Sequence, residues 1–139
     1  MDYTAIIRVS GLQMVEGTGE NIEMLAHGKH YMKNNKHYLF YDDVEEEEGY
    51  RTKNTIKFDE TCVEVIRKGT VNGKMVFEKG KNSQSLYSTP YGDLLVEVLT
   101  RKIALVHREK NVNLQIDYEL YANNSKVSDS KIEIDVNEI

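Results

Sequence analysis

The chain has 139 residues, which fits one domain over 1–139 with a core that needs no disulfide or metal. Its formal net charge is −5 with both signs interspersed, so we expect no nucleic-acid partner, which normally requires a basic excess or a basic patch. A single cysteine excludes an intrachain disulfide. We expect a cytoplasmic protein without membrane contact, because Met1-Asp2-Tyr3 begins no secretory signal and no apolar run approaches the roughly 20 residues of a membrane helix.

The first third of the chain alternates apolar and polar residues with the period of two that is typical of strands. The apolar face of the first run consists of Tyr3, Ala5, Ile7 and Val9. A turn is expected at 16–19, and Gly28 is expected to mark a bend or bulge in the second strand. Asn34-Asn35 is predicted to form a two-residue type I′ turn, because asparagine tolerates a left-handed backbone.

The later segments continue the same alternation between turn signals. Residues 42–49 are predicted to form an acidic loop, and Val71-Asn72-Gly73-Lys74 is the strongest hairpin signal. Thr89-Pro90-Tyr91-Gly92 predicts a further turn. Residues 93–108 carry helix and strand signals, and their β-branched residues favour two strand segments with a bend near Thr100-Arg101-Lys102. Two clear strands follow, around 114–120 and 132–136.

About nine strand runs with short connections and no firm helix predict an all-β domain. We predict a closed antiparallel up-and-down β-barrel of about 8–10 strands, because closure removes the exposed edges of the sheet. The alternative is a sandwich, which would normally need longer connections between sheets than this chain offers. About eight strands leave an interior for side chains or for one small ligand, so the sequence leaves a hollow and a filled barrel equally open.

The stretch from Gly28 to Tyr118 resembles the YwiB-like family of uncharacterised bacterial β-barrels. The resemblance rests on the order and spacing of Tyr31, Tyr38-Leu39-Phe40-Tyr41, Thr55-Ile56-Lys57, Arg67-Lys68-Gly69, Met75-Val76-Phe77, Pro90-Tyr91-Gly92 with Leu94, and Asp117-Tyr118. It implies a calycin-type barrel, related in shape to lipocalins, and it implies no established activity. The early Gly-x-Trp of lipocalins is missing, since the chain has no tryptophan.

Arg67 is the first candidate for a binding residue. It shares strand parity with Val63 and Val65, which predicts that its guanidinium faces the barrel interior or its mouth. A guanidinium there needs a partner and would bind a carboxylate or phosphate of a ligand bidentately. The alternative is an internal salt bridge, or an arginine at a strand end that reaches water.

Three tyrosines, Tyr38, Tyr41 and Tyr91, are the other candidates for ligand-binding residues. Each combines an apolar ring with a polar hydroxyl, so together they could line a semi-polar pocket. The alternative is that they fill the core and form hydrogen bonds at its rim. The sequence does not decide which face Tyr38 and Tyr41 take, because Leu39 and Phe40 leave both parities apolar.

Histidines give the remaining candidate cluster. His30 and His37 are diagonal neighbours on one face of the predicted hairpin, which is expected to be exposed, while His27 and His107 have no assignable partner. No cysteine or carboxylate stands at a partner spacing, so we expect no metal site and no cofactor. Nucleophile-elbow and phosphate-loop motifs are also missing from the sequence, so no catalytic residues are assigned and an enzyme is not expected.

The leading hypothesis is therefore a barrel that binds a lipophilic or acidic small molecule through Arg67 and the three tyrosines. The alternative is a structural or protein-interaction barrel with a filled core and no ligand. Self-association and protein partners stay open at this point.

Overall fold

The computed structural model describes residues 4–11, 23–45, 50–90 and 92–139. Period-two alternation produces ten antiparallel strands in this part of the chain. The strands are β1 (Ala5–Ser10), β2 (Glu23–Lys33), β3 (Lys36–Glu45), β4 (Tyr50–Phe58), β5 (Cys62–Gly69), β6 (Gly73–Glu78), β7 (Asn82–Thr89), β8 (Gly92–His107), β9 (Asn111–Ala122) and β10 (Ser125–Glu138). No helix long and apolar enough to cross a membrane occurs among the described residues.

The ten strands form one sheet with the order β6-β5-β4-β3-β2-β1-β10-β9-β8-β7. Strands that follow each other along the chain are neighbours in the sheet, except for β6 and β7, and the pairing of β1 with β10 joins the two halves of the sheet. The two ends of this order, β6 and β7, meet at a single bridge between Asn72 and Ser88. The result is a nearly closed up-and-down barrel, which confirms the predicted fold class.

Inward-facing residues alternate with outward-facing ones along every strand, as the sequence pattern predicted for Ala5, Ile7 and Val9. Fully or almost fully buried apolar side chains come from β1 and from β3 to β10. Strand β2 contributes the partly buried Met24 and Ala26. Transfer of these side chains out of water is the main favourable term in the folding of the barrel.

Gly28, predicted to mark a bend or bulge, lies where β2 changes its partner. Residues 23–28 pair with β1, whereas residues 29–33 pair with β3. A Cβ atom at Gly28 would lie 2.4 Å from the backbone oxygen of Phe40 and 2.6 Å from Cδ1 of Ile7. The change of partner therefore requires a residue without a side chain.

The Asn34-Asn35 turn is confirmed, with φ angles of 54° and 64°. The bend predicted near residues 100–102 is a register shift between Thr100 and Lys102, but β8 continues through it, so the prediction of two segments is wrong. The acidic loop predicted at 42–49 is wrong for residues 42–45, because β3 continues to Glu45. The predicted turn at 16–19, residues 46–49, Tyr3 and Tyr91 lie outside the described residues.

The hairpin prediction at residues 71–74 is wrong in its placement of Gly73. Gly73 is the first residue of β6 and pairs with Arg67, while the positive φ of this connection, 145°, belongs to Gly69. The ring of Tyr87 from β7 occupies the space beside Gly73, so that a Cβ atom there would lie 2.6 Å from Cδ1 of the ring. Gly73 is therefore needed for close packing across the seam between β6 and β7.

Replacement of Gly73 tests this role. We expect Gly73→Ala to lower the free energy of unfolding by about 1–3 kcal/mol, because the added methyl overpacks a buried ring that cannot move outward. Urea denaturation of the wild type and the variant measures the loss. The control is Lys74→Ala, whose exposed side chain should contribute less than about 0.5 kcal/mol; an equal loss in both variants would contradict the packing role.

Candidate functional site

The interior of the barrel changes from apolar to polar along three neighbouring strands. The strand register places side chains of β3, β4 and β5 in three inward rows. The rows are His37–Phe58–Val63, Leu39–Ile56–Val65 and Tyr41–Asn54–Arg67. The first row contains a histidine, the second is wholly apolar and the third contains an arginine, so the barrel has a histidine end and an arginine end.

At the arginine end, Arg67 confirms its predicted inward parity. The next residue in its row is Asn54, and Arg67 Nε donates a hydrogen bond to Asn54 Oδ1 at 3.0 Å. Asn54 is buried and also donates to the backbone oxygen of Thr52 at 3.3 Å. The half-buried guanidinium thus bonds through Nε to a neutral amide of the same row.

Tyr87 completes this end of the barrel, because its ring lies beside Gly73, the residue that pairs with Arg67. Its side chain has no exposed surface, and its hydroxyl has no hydrogen-bond partner among the described residues. Burial raises the pKa of the Tyr87 hydroxyl, and the charge of Arg67 opposes part of that rise. An unsatisfied phenol therefore lies within electrostatic range of an arginine, at the seam between β6 and β7.

Tyr118 shows how an interior tyrosine is normally satisfied. Its ring meets Phe77 edge to face with 5.0 Å between centroids. Burial raises the pKa of its hydroxyl to about 12, and a hydrogen bond to Ser130 on β10 opposes part of that rise. Tyr118 thus has a polar partner that Tyr87 lacks.

The tyrosines predicted to share a pocket with Arg67 lie on different faces of the sheet. Tyr41 faces the interior in the same row as Arg67 and is almost fully buried. Tyr38 faces outward, where its ring stacks on that of Tyr31 with 5.4 Å between centroids, so it cannot line the same interior. Tyr91 lies outside the described residues.

The histidine end contains an interaction that the sequence only partly revealed. His30 Nε2 and His37 Nδ1 are 2.9 Å apart, and both side chains are buried, which corrects the expectation of an exposed hairpin. His37 also stacks on Phe58 and meets His107 of β8 edge-on, with centroid distances of 4.8 and 4.9 Å. His107 could have been found from the topology, because the β2–β3 and β8–β9 turns lie at the same end of an up-and-down barrel.

Glu138 fixes the proton arrangement of the histidine pair. Its Oε1 lies 3.4 Å from His30 Nδ1, a distance at which attraction favours a proton on that nitrogen. With the proton on Nδ1, a neutral His30 presents Nε2 as an acceptor, to which His37 Nδ1 can donate. Burial lowers the pKa of His30, against the attraction of Glu138. Burial also lowers the pKa of His37, to about 4, with contributions from His30 and His107.

This arrangement stabilises neutral histidines. Within the described ranges, no group of three or more histidine, cysteine or carboxylate side chains is placed to hold a metal ion. The two facing nitrogens of His30 and His37 are already joined to each other. The histidine end is therefore a pH-sensitive structural cluster, and the arginine end is the candidate binding site.

The fold and its interior define the class of protein, an antiparallel β-barrel with a polar cluster at either end. The family described as Domain of unknown function (DUF1934) matches residues 7–134, and the chain belongs to this family. The uncharacterized β-barrel protein YwiB of Bacillus subtilis (strain 168) is 30% identical over 106 residues, or 76% of this chain and 73% of that protein. These matches confirm the resemblance to the YwiB-like family.

A solved structure supports the same assignment of fold. The crystal structure of the ywiB protein from Bacillus subtilis superposes with a TM-score of 0.80 at 25% identity. The match covers 99% of this chain and 92% of that one. The family has no assigned function, so the chemistry of the two ends has to be argued from this chain.

The histidine end predicts how stability depends on pH. The pKa of His37 is about 4 in the folded protein and about 6.5 when unfolded, so the unfolded state binds more protons between these values. Stability should therefore fall as the pH decreases from 6.5 towards 4, with His37 contributing about 2 kcal/mol of the loss between pH 7 and pH 5.

Urea denaturation at pH 7 and pH 5 measures this loss. His37→Gln should reduce the difference between the two pH values by about 2 kcal/mol, because glutamine does not titrate. The control is His27→Gln, which changes an outward-facing histidine on the neighbouring strand β2. A pH dependence that His37→Gln leaves unchanged would contradict the assignment.

Proposed function

We propose that the barrel binds a small molecule with an acidic group, and that this group is held at the arginine end. The proposal is carried by the fully buried Tyr87 hydroxyl, which lacks a hydrogen-bond partner among the described residues and lies within electrostatic range of Arg67. A buried polar group without a partner costs about 1–3 kcal/mol. A ligand carboxylate or phosphate that accepts from the phenol and faces the guanidinium would remove this cost.

The neighbouring residues support an acidic rather than a basic ligand. Arg67 is the charged member of its inward row, and a guanidinium attracts a carboxylate or phosphate. The next inward row is formed by Leu39, Ile56 and Val65, which suit the apolar part of a ligand. A molecule with an acidic head and an apolar body fits this gradient.

The alternative is a filled barrel that acts through its surface. The contact between Phe77 and Tyr118 favours it, because these rings meet although β7 and β8 separate their strands in the closed barrel. Native mass spectrometry of the protein purified without detergent distinguishes the two functions. A stoichiometric acidic compound that is released on denaturation supports the binding barrel, and an apo mass together with no effect of the variants below supports the filled barrel.

Arg67 should dominate the affinity for an acidic compound. We expect Arg67→Ala to weaken binding of the co-purifying compound by about 2 kcal/mol or more, roughly thirtyfold in Kd, because a charge-assisted hydrogen bond is lost. The affinity of Arg67→Lys should lie between those of the wild type and Arg67→Ala, because lysine keeps the positive charge but lacks the planar guanidinium. Isothermal titration of the three proteins measures the order, and equal affinities would remove Arg67 from the site.

Tyr87 gives a sharper test, because its hydroxyl has no hydrogen-bond partner in the part of the chain that the structure describes. We expect Tyr87→Phe to raise the free energy of unfolding of the ligand-free protein by about 1–3 kcal/mol, because the cost of the buried unpartnered hydroxyl is removed, while ligand binding weakens about fivefold. Tyr118→Phe is the matched control and should show the reverse, since its hydroxyl bonds to Ser130 and not to the proposed ligand. Urea denaturation and titration of both variants would reject the site if Tyr87→Phe lost stability and kept full affinity.

A further inference from the structure

The outer surface of β2, β3 and β4 carries an array of aromatic rings. Tyr31 of β2 stacks on Tyr38 and Phe40 of β3, with centroid distances of 5.4 and 5.6 Å and interplanar angles of 13° and 22°. The ring of Tyr31 contacts both of the other rings, and 46% of the residue surface is exposed. Such near-parallel rings on a sheet are able to receive a further flat group by stacking.

Four lysines surround these rings. Lys29 pairs with Phe40, Lys33 pairs with Lys36 beside the turn, and the Lys57 ammonium lies 5.6 Å from the centre of the Tyr38 ring. We call these four lysines, with Tyr31, Tyr38 and Phe40, the aromatic–lysine face.

Acidic side chains near the aromatic–lysine face are already engaged by other residues. Glu64, the strand neighbour of Lys57, forms its ion pair with Lys74 at 3.5 Å. Asp42 pairs with Arg51 at 3.8 Å. Among the described residues, none of the four lysines forms a salt bridge. Lys36 attracts Asp59 and helps to lower the pKa of that carboxyl. The charges of the other three lysines are not engaged in a salt bridge within the part of the chain that the structure describes.

The opposite side of the barrel shows the contrasting arrangement. Glu119 on the outer face of β9 attracts both Arg101 and Lys126, at 3.5 and 3.0 Å. Asp135 on β10 pairs with Arg8 at 3.4 Å. Arg8, Arg101 and Lys126 thus form ion pairs with carboxylates, whereas the four lysines around the rings form no salt bridge among the described residues. The net charge of −5 thus conceals a local basic surface.

We propose that the aromatic–lysine face binds single-stranded nucleic acid. Unpaired lysines attract the phosphates of a strand, and exposed aromatic rings stack on its bases, which is the combination that single-strand binding surfaces use. The expectation of no nucleic-acid partner rested on the absence of a basic excess or a basic patch in the sequence. Lys29, Lys33 and Lys36 form only a small basic group by themselves. The sheet adds Lys57 and three rings to that group, which removes this premise.

Fluorescence anisotropy of a labelled 15-nucleotide single strand of mixed sequence tests the proposal with the full chain. We expect saturable binding at low salt, with a Kd below about 100 μM. The logarithm of the affinity should fall with the logarithm of salt concentration with a slope of about −2 to −3, because four lysines displace counterions from a single strand. A duplex of the same length should bind more weakly, since its bases cannot reach Tyr31.

Two matched pairs of variants locate the site. Tyr31→Ala should weaken binding about tenfold through lost stacking, and its control, Tyr121→Ala, changes a tyrosine on β9. The double variant Lys29→Glu/Lys33→Glu should weaken it at least about tenfold, whereas Lys102→Glu/Lys131→Glu, which makes the same charge change on β8 and β10, should have a much smaller effect. All four side chains in the lysine variants are exposed, and circular dichroism checks that each variant is folded.

Three outcomes overturn the proposal. The first is no saturable binding at low salt, and the second is an equal loss of binding in the face variants and their controls. The third is binding to vesicles of phosphatidylglycerol without binding to the single strand, which would identify this face as a membrane surface. Binding of the single strand that depends on Tyr31 and on Lys29 with Lys33 supports the proposal.

Discussion

Closure of the sheet between β6 and β7 is the constraint on which the rest of the structure depends, because alternation separates an inside from an outside only in a closed sheet. The Asn72–Ser88 bridge supplies two hydrogen bonds, of 2.9 and 2.8 Å, at one end of this seam. Near the other end, Gly80 donates to the backbone oxygen of Thr100 at 2.9 Å. Between them the Tyr87 ring packs beside Gly73. Side-chain packing therefore replaces most of a backbone ladder here.

The up-and-down connection then decides which distant residues meet. Successive turns alternate between the two ends of the barrel, so Tyr41, Arg67 and Tyr87 all lie near turns at one end. His37 and His107 flank turns at the other end, and the pairing of β10 with β1 brings Glu138 there too. Each end thus combines groups that are far apart along the chain. The consequence is a polar cluster at either end of an apolar middle, with no sequence motif to announce it.

Local signals and strand parity could be read from the sequence, and contacts across the barrel could not. The inward direction of Arg67 follows from Val65 two residues earlier, and the left-handed backbone at Asn34 and Asn35 follows from the residue type. Gly73 was misplaced because the Asn-Gly pattern indicates a turn, whereas the residue is needed for a ring from another strand. His107 required the closed topology before it could be joined to His37.

The β2–β3 hairpin shows how one segment takes part in two unrelated chemistries. Its inward residues His30 and His37 form a buried neutral pair, while the outward Tyr31 and Tyr38 stack in solvent. These side chains are sequence neighbours, yet the strand places them on opposite faces of the sheet. A substitution of one parity therefore changes either the pH-sensitive interior or the exposed surface and leaves the other intact. Net charge and composition average over both faces, which is why they cannot describe either one.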